Sequence, residues 1–113
     1  RMTTVTLGKP AVEMKEKVED ASTFLKKLSN PDRLMVACAL VDGERSVREL
    51  EDLLGIRQPG LSQQLAELRQ AGLITGRKQG KQVFYQLADP RVQEFITTMY
   101  RLFCEPADQP KEN

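Results

Sequence analysis

Residues 46–87 read SVRELEDLLGIRQPGLSQQLAELRQAGLITGRKQGKQVFYQL, and the order of helix and strand signals within them decides the fold. Ser46 and Glu49 make an S-x-x-E capping box, in which the Ser46 hydroxyl accepts from the Glu49 amide and the Glu49 carboxylate accepts from the Ser46 amide, so a helix starts there. Val47, Leu50, Leu53 and Leu54 recur at helical spacing, and Gly55 supplies the left-handed residue that ends the helix, with Ile56 as its apolar partner. Pro59 wastes no amide in a first helical turn and biases Gln58 away from helical backbone, which predicts a second helix with Pro59 as its first residue. Leu61, Leu65 and Leu68 form the stripe this helix buries. The opposite side carries Pro59, Gln63, Ala66 and Gln70, flanked by Ser62 and Glu67. Ala71-Gly72 ends the helix, and residues 73–78 and 82–87 then read as two strands around a turn at Gln79-Gly80-Lys81. Helix, tight turn, helix and hairpin in that order make a winged helix-turn-helix.

Outside this stretch, Met14, Val18, Ala21, Leu25 and Leu28 alternate steps of four and three, a seam that calls for a helical partner. Asn30 caps a further helix with Pro31 at its first position, and residues 34–41 are apolar on nearly every side, so that helix should be central. Asp89-Pro90 opens a last helix whose stripe is Val92, Phe95, Ile96, Met99, Leu102 and Phe103, and Cys104 closes it. The predicted class is therefore mainly α with a small β-hairpin: a winged helix-turn-helix of five helices and a two-stranded wing. Residues 1–11 and 105–113 are expected to be flexible, with the winged helix-turn-helix domain at 12–104. Two amphipathic helices at opposite ends of a 113-residue domain carry more apolar surface than it can cover, which predicts a homodimer.

The net charge of +1 selects no partner by itself, but its distribution does. Between Arg57 and Gln82 five cations (Arg57, Arg69, Arg77, Lys78, Lys81) face one acid, Glu67, whereas residues 42–54 hold five acids against two arginines. Reading DNA needs small residues for close approach, amides or hydroxyls for base edges and cations for phosphates, and all three coincide on the second helix and wing. Gln63 suits bidentate pairing with adenine, and Ser62 and Gln58 suit other base edges or phosphates. Arg77, Lys78 and Lys81 suit phosphates or the minor groove. The alternative outside nucleic-acid binding is a winged-helix module for protein contacts. The chain has no histidine and no glycine-rich phosphate loop, so no Ser-His or Cys-His nucleophile pair can form, and no enzyme or cofactor is expected. No apolar run approaches the roughly 20 residues of a membrane span and no signal peptide is visible, so the expected location is the cytoplasm. Arg1 before Met2 reads as a residue left by an expression tag.

The two cysteines, Cys38 and Cys104, leave alternatives open. Cys38 within Val36-Ala37-Cys38-Ala39-Leu40 reads, taken alone, as a small buried hydrophobe. Cys104 lies at a helix C-terminus, which disfavours a thiolate, although Arg101 one turn earlier offsets this. A reversible disulfide is admissible in a reducing compartment and a structural one is not. Two cysteines fill a tetrahedral zinc site only with carboxylates or a second subunit.

Leu28-Ser29-Asn30-Pro31-Asp32-Arg33-Leu34, Gln58-Pro59-Gly60-Leu61-Ser62-Gln63-Gln64-Leu65 and Val83-Phe84-Tyr85-Gln86-Leu87 together resemble the ArsR/SmtB family of bacterial repressors, over about residues 12–104. The resemblance implies a dimeric repressor that leaves an imperfect palindromic operator when an inducer binds, with Arg57, Gln58, Pro59, Ser62, Gln63, Gln64, Arg77, Lys78 and Lys81 at the DNA. Many family members carry histidine where Gln64 stands. Two metal sites of the family require a Cys-rich motif on the first helix of the helix-turn-helix, or His and Asp on the last helix. Here Val47-Arg48-Glu49-Leu50-Glu51 and residues 92–104 supply neither, so no metal is expected. One cysteine in the second helix and one at the end of the last is similar to the sulfide- and persulfide-responsive branch, the sulfide:quinone reductase repressor and biofilm growth-associated repressor type. That likeness implies Cys38 and Cys104 as a redox-sensing pair, with reactive sulfur species as inducer. A thiol-based metal- or arsenite-responsive repressor is the alternative within the family.

Overall fold

The computed structural model describes residues 8–105. Most of the two segments expected to be flexible lies outside this range. Six helices and three strands follow in the order α1 (Lys9–Met14), α2 (Val18–Leu28), α3 (Pro31–Leu40), β1 (Arg45–Ser46), α4 (Val47–Leu54), α5 (Gly60–Gln70), β2 (Ile74–Gln79), β3 (Gln82–Leu87) and α6 (Pro90–Phe103). The sheet is antiparallel, ordered β1-β3-β2.

The caps form as their residues dictate. The Asn30 side chain accepts from the Arg33 amide at 3.0 Å, and Asp89 accepts from the Arg91 amide at 2.9 Å. Both arms of the Ser46–Glu49 capping box are present, at 2.8 and 3.0 Å. Gly55 takes the left-handed conformation (φ 69°) that releases the chain from α4 into the turn before α5.

The core gathers on α3, which packs against α2, α4, α5, α6 and β3. Val36, Ala37 and Leu40 of α3 are buried with Leu28 of α2, Leu50 of α4, Leu61, Leu65 and Leu68 of α5, and Val92 and Ile96 of α6. At about 1.5–3 kcal/mol for each large apolar side chain removed from water, this cluster is the main force holding α5 in place. Phe24 of α2 and Phe95 of α6 meet edge to face, 5.7 Å between ring centres.

The structure corrects five expectations. The first helix is two: residues 15–17 form a tight turn in which Glu16 and Lys17 donate three residues back, to Glu13 and Met14. No residue of α1 is buried, so packing does not hold the helix continuous. Lys9, Pro10 and Ala11, expected in the flexible N-terminal segment, are helical. The sheet has a third strand, β1, pairing Arg45 with Tyr85 and Ser46 with Phe84; two residues carry no periodicity to read. Pro59 is the N-cap of α5, not its first helical residue, because its backbone (φ −88°, ψ 5°) lies outside the helical well. Leu53 faces outward at 57 % exposure, since Leu50 alone of the α4 leucines reaches the core fully.

Candidate nucleic-acid interface and thiol cavity

Burying Leu61, Leu65 and Leu68 rotates α5 so that Ser62, Gln63 and Gln70 are exposed, with Ala66 at the edge. Pro59, Gln58 and Arg57 precede it on the same exposed turn. Gln58 does structural work there, because its side-chain oxygen accepts from the Ser62 amide at 2.9 Å and satisfies a donor of the first turn.

Gln64 stands apart from Gln63. It is half-buried, and its side-chain oxygen accepts from Arg33 Nη1 at 2.8 Å. The same guanidinium donates through Nε to the Lys27 carbonyl at 2.6 Å, and Lys27 Nζ reaches Glu67 at 2.7 Å. These contacts bracket the end of α2 and the start of α3 against α5. The Lys27 hydrogen bond and charge hold the Glu67 carboxyl below its ordinary range, with a smaller contribution from Arg33. Arg33 lies within the Asn30-Pro31-Asp32-Arg33 motif, yet its job depends on a partner 31 positions away, which no local spacing reveals.

The wing separates its cations. Lys78 and Lys81 are exposed and, among the described residues, make no ion pair. Arg77 is engaged: Nε and Nη2 donate to the two Glu44 carboxylate oxygens at 2.7 and 2.8 Å, Nη1 donates to Gln79, and the guanidinium lies 4.8 Å from the Phe84 ring centre. Hydrogen bonding to Arg77 pulls the Glu44 carboxyl down, and the same bond pushes Arg77 up. Sequence reading missed Glu44, which sits in the acidic stretch before α4 rather than beside the wing.

Cys38 on α3 and Cys104 at the C-cap of α6 are brought together as free thiols lining one cavity of about 780 Å³. Its walls include Leu34, Val41, Ile96, Met99, Tyr100 and Phe103. Cys38 is exposed rather than buried, correcting the reading of VACAL, because α3 turns Val36, Ala37 and Leu40 into the core and leaves Cys38 beside α6. The apolar wall still pushes the Cys38 thiol above its ordinary range by desolvation, and the neighbouring Cys104 adds to this by charge. Among the described residues no group of three or more His, Cys, Asp or Glu side chains is arranged to hold a metal ion. Nor is any helix long and apolar enough to cross a membrane.

Comparison with known proteins places this architecture. The model of the bacterial regulatory protein arsR family matches residues 30–75, from the cap of α3 to the start of the wing. The biofilm growth-associated repressor of Agrobacterium fabrum is 46 % identical over 99 residues, covering 88 % of this chain and 85 % of that protein. The transcriptional activator HlyU of Vibrio cholerae is 41 % identical over 93 residues, covering 82 % and 86 %. Among solved structures, the transcriptional repressor BigR from Xylella fastidiosa superposes with a TM-score of 0.81 at 42 % identity, covering 83 % of this chain and 96 % of that one. The fold is that of a winged helix-turn-helix transcriptional regulator. The chain belongs to the arsR family of bacterial regulatory proteins.

Proposed function

We propose that this chain is a homodimeric repressor acting on DNA in the cytoplasm, and that reactive sulfur species release it from its operator by bridging Cys38 and Cys104. The observation carrying the reading is the shared cavity, which joins a thiol on α3, the helix that buttresses α5, to a thiol at the end of α6. Repression is supported by likeness to proteins named as repressors, although the similar HlyU is named an activator.

Dimerisation through residues 12–28 and 90–104 is supported by the apolar side chains this chain leaves bare. Val12, Met14, Val18 and Leu25 are about half exposed, and Leu102 and Phe103 are 67 % and 73 % exposed. Two-fold symmetry then calls for an imperfect palindrome with half-sites about one helical turn apart. Ser62 and Gln63 read base edges, while Arg57, Lys78 and Lys81 meet phosphates.

A covalent bridge acts on DNA affinity only by fitting one shape of the protein better than the other. Each 1.4 kcal/mol of that preference weakens operator binding about tenfold. The test combines mass spectrometry with operator titration for wild type, Cys38→Ser and Cys104→Ser, before and after polysulfide, peroxide, arsenite and zinc. Both variants are expected to bind DNA and ignore polysulfide. Release by arsenite or zinc without an intramolecular sulfur bridge defeats the reading in favour of a metal sensor, and absence of any operator preference favours a protein-interaction module.

A further inference from the structure

Away from the segments assigned to dimerisation, a cleft of about 460 Å³ separates the first turn of α4 from the tip of the wing. Val47, Arg48 and Glu51 give one wall, and Lys81, Gln82 and Val83 give the other. The antiparallel pairing of Ser46 with Phe84 sets this arrangement, because α4 starts at the next residue and so opens beside Val83 and the wing turn. Four arginines of this chain are already held, Arg33 and Arg45 by carbonyls and Arg77 and Arg91 by carboxylates. Arg48 differs from them. It is exposed and, among the described residues, makes no ion pair, although Glu51 and Asp52 follow at the spacings where charges on a helix meet. Lys81 across the cleft is likewise exposed and, among the described residues, in no ion pair. Two cations on separate elements thus face one cleft against a single acid, Glu51.

We propose that this cleft takes the sugar–phosphate backbone of the operator, and that Arg48 contacts a phosphate next to the one met by Lys81 on the same strand. The inference rests on the reading that α5 and the wing meet DNA. With Ser62 and Gln63 at base edges in the major groove and Lys81 at the backbone, the strand bordering that groove passes the start of α4, since the first helix of a helix-turn-helix crosses the backbone. The walls have independent footings: α4 is anchored in the core through Leu50, and Lys81 belongs to the hairpin of β2 and β3. A strand held from both sides fixes the register of α5 in the groove without itself carrying sequence information. Glu51 repels the same strand and moderates the grip.

The experiment uses a palindromic duplex selected by the wild-type protein from a random library. Binding is titrated by anisotropy across a salt series for wild type, Arg48→Ala, Arg48→Lys and Lys81→Ala. The titrations are repeated on duplexes carrying a neutral methylphosphonate at one backbone position of each half-site in turn. Arg48→Ala disturbs no core residue and introduces a better helix former, so its thermal midpoint should not fall below that of the wild type. Its salt slope should flatten by about 0.9 for each half-site, which is a loss of about eightfold per half-site at about 0.1 M salt, equal for every sequence. Arg48→Lys should keep the wild-type slope. One methylphosphonate position should weaken the wild type yet leave Arg48→Ala unaffected, and it should neighbour, on the same strand, the position that behaves so for Lys81→Ala. A wild-type slope for Arg48→Ala, a loss that no single phosphate abolishes, or an Arg48 phosphate remote from that of Lys81 overturns the proposal and leaves DNA reading by α5 intact. Failure of the wild type to select any duplex overturns the DNA reading itself.

Discussion

Gln63 and Gln64 are neighbours on α5 with different work, and replacing Gln64 separates the two roles. Gln64→Ala removes the acceptor for Arg33 Nη1 at 2.8 Å and leaves Arg33 its bond to the Lys27 carbonyl. A hydrogen bond to a charged group contributes about 1.5–3 kcal/mol. Gln64 is only half-buried, so water partly replaces the lost acceptor, and the expected loss is about 1–1.5 kcal/mol. For a domain of this size that lowers Tm by about 4–8 °C. Urea titration should show a lower midpoint at unchanged slope, which assigns the effect to the folded state rather than to compactness of the unfolded chain. Operator base preference should stay as in the wild type, whereas Gln63→Ala should keep wild-type stability and relax preference at one position per half-site by about 1–3 kcal/mol. Gln64→Glu restores an acceptor to Arg33 and should recover the midpoint. Wild-type stability of Gln64→Ala together with a changed base preference would refute this division and return Gln64 to the DNA.

Glu44→Gln removes the charge that holds Arg77, so the salt dependence of operator binding should steepen by about 0.9 in log–log slope; anisotropy titrations across a salt series check this, and an unchanged slope counts against it. Gly76 lies beneath Tyr85, where an added Cβ would fall 2.7 Å from the ring. Gly76→Ala should cost about 1–3 kcal/mol in thermal unfolding, and a Tyr85→Ala background should remove most of that penalty. Partial desolvation against the apolar wall, with the charge of Cys104 adding to it, raises the Cys38 thiol, so its folded state holds the proton to higher pH than the unfolded chain does. Alkylation of Cys38 by iodoacetamide, read by site-resolved mass spectrometry, should therefore keep rising with pH after the rate in urea has levelled off. The stability linked to the proton is complete below the unfolded thiol's range and is lost as pH climbs through the folded one.

The helix-turn-helix was legible because its signals are local. A capping box, a left-handed glycine and a leucine stripe each fix their own few residues, and the burial of Leu61, Leu65 and Leu68 then determined which glutamine faces out. What escaped reading was non-local or too short to have a period. The Glu44–Arg77 pair spans 33 positions and the Arg33–Gln64 pair 31, and β1 is two residues long. The first helix illustrates the opposite error. A heptad seam was visible, but periodicity records which side wants cover and not whether cover is present, and α1 finds none within its own chain. The cysteines came together at one cavity although α3 and α6 lie far apart in sequence; family likeness suggested the pair, and spacing could not.

The stretch from α3 to β1 ends in a short mechanical linkage. Arg45 donates through Nε to the Ala39 carbonyl at 2.9 Å, next to Cys38, and the Arg45 backbone pairs with Tyr85 in the middle strand of the wing. One residue earlier, Glu44 grips Arg77 of the outer strand. The last turn of α3 and both long strands of the wing are thus joined through two adjacent residues, Glu44 by its side chain and Arg45 by side chain and backbone. A displacement of the final turn of α3 would therefore pull on the wing through these two residues.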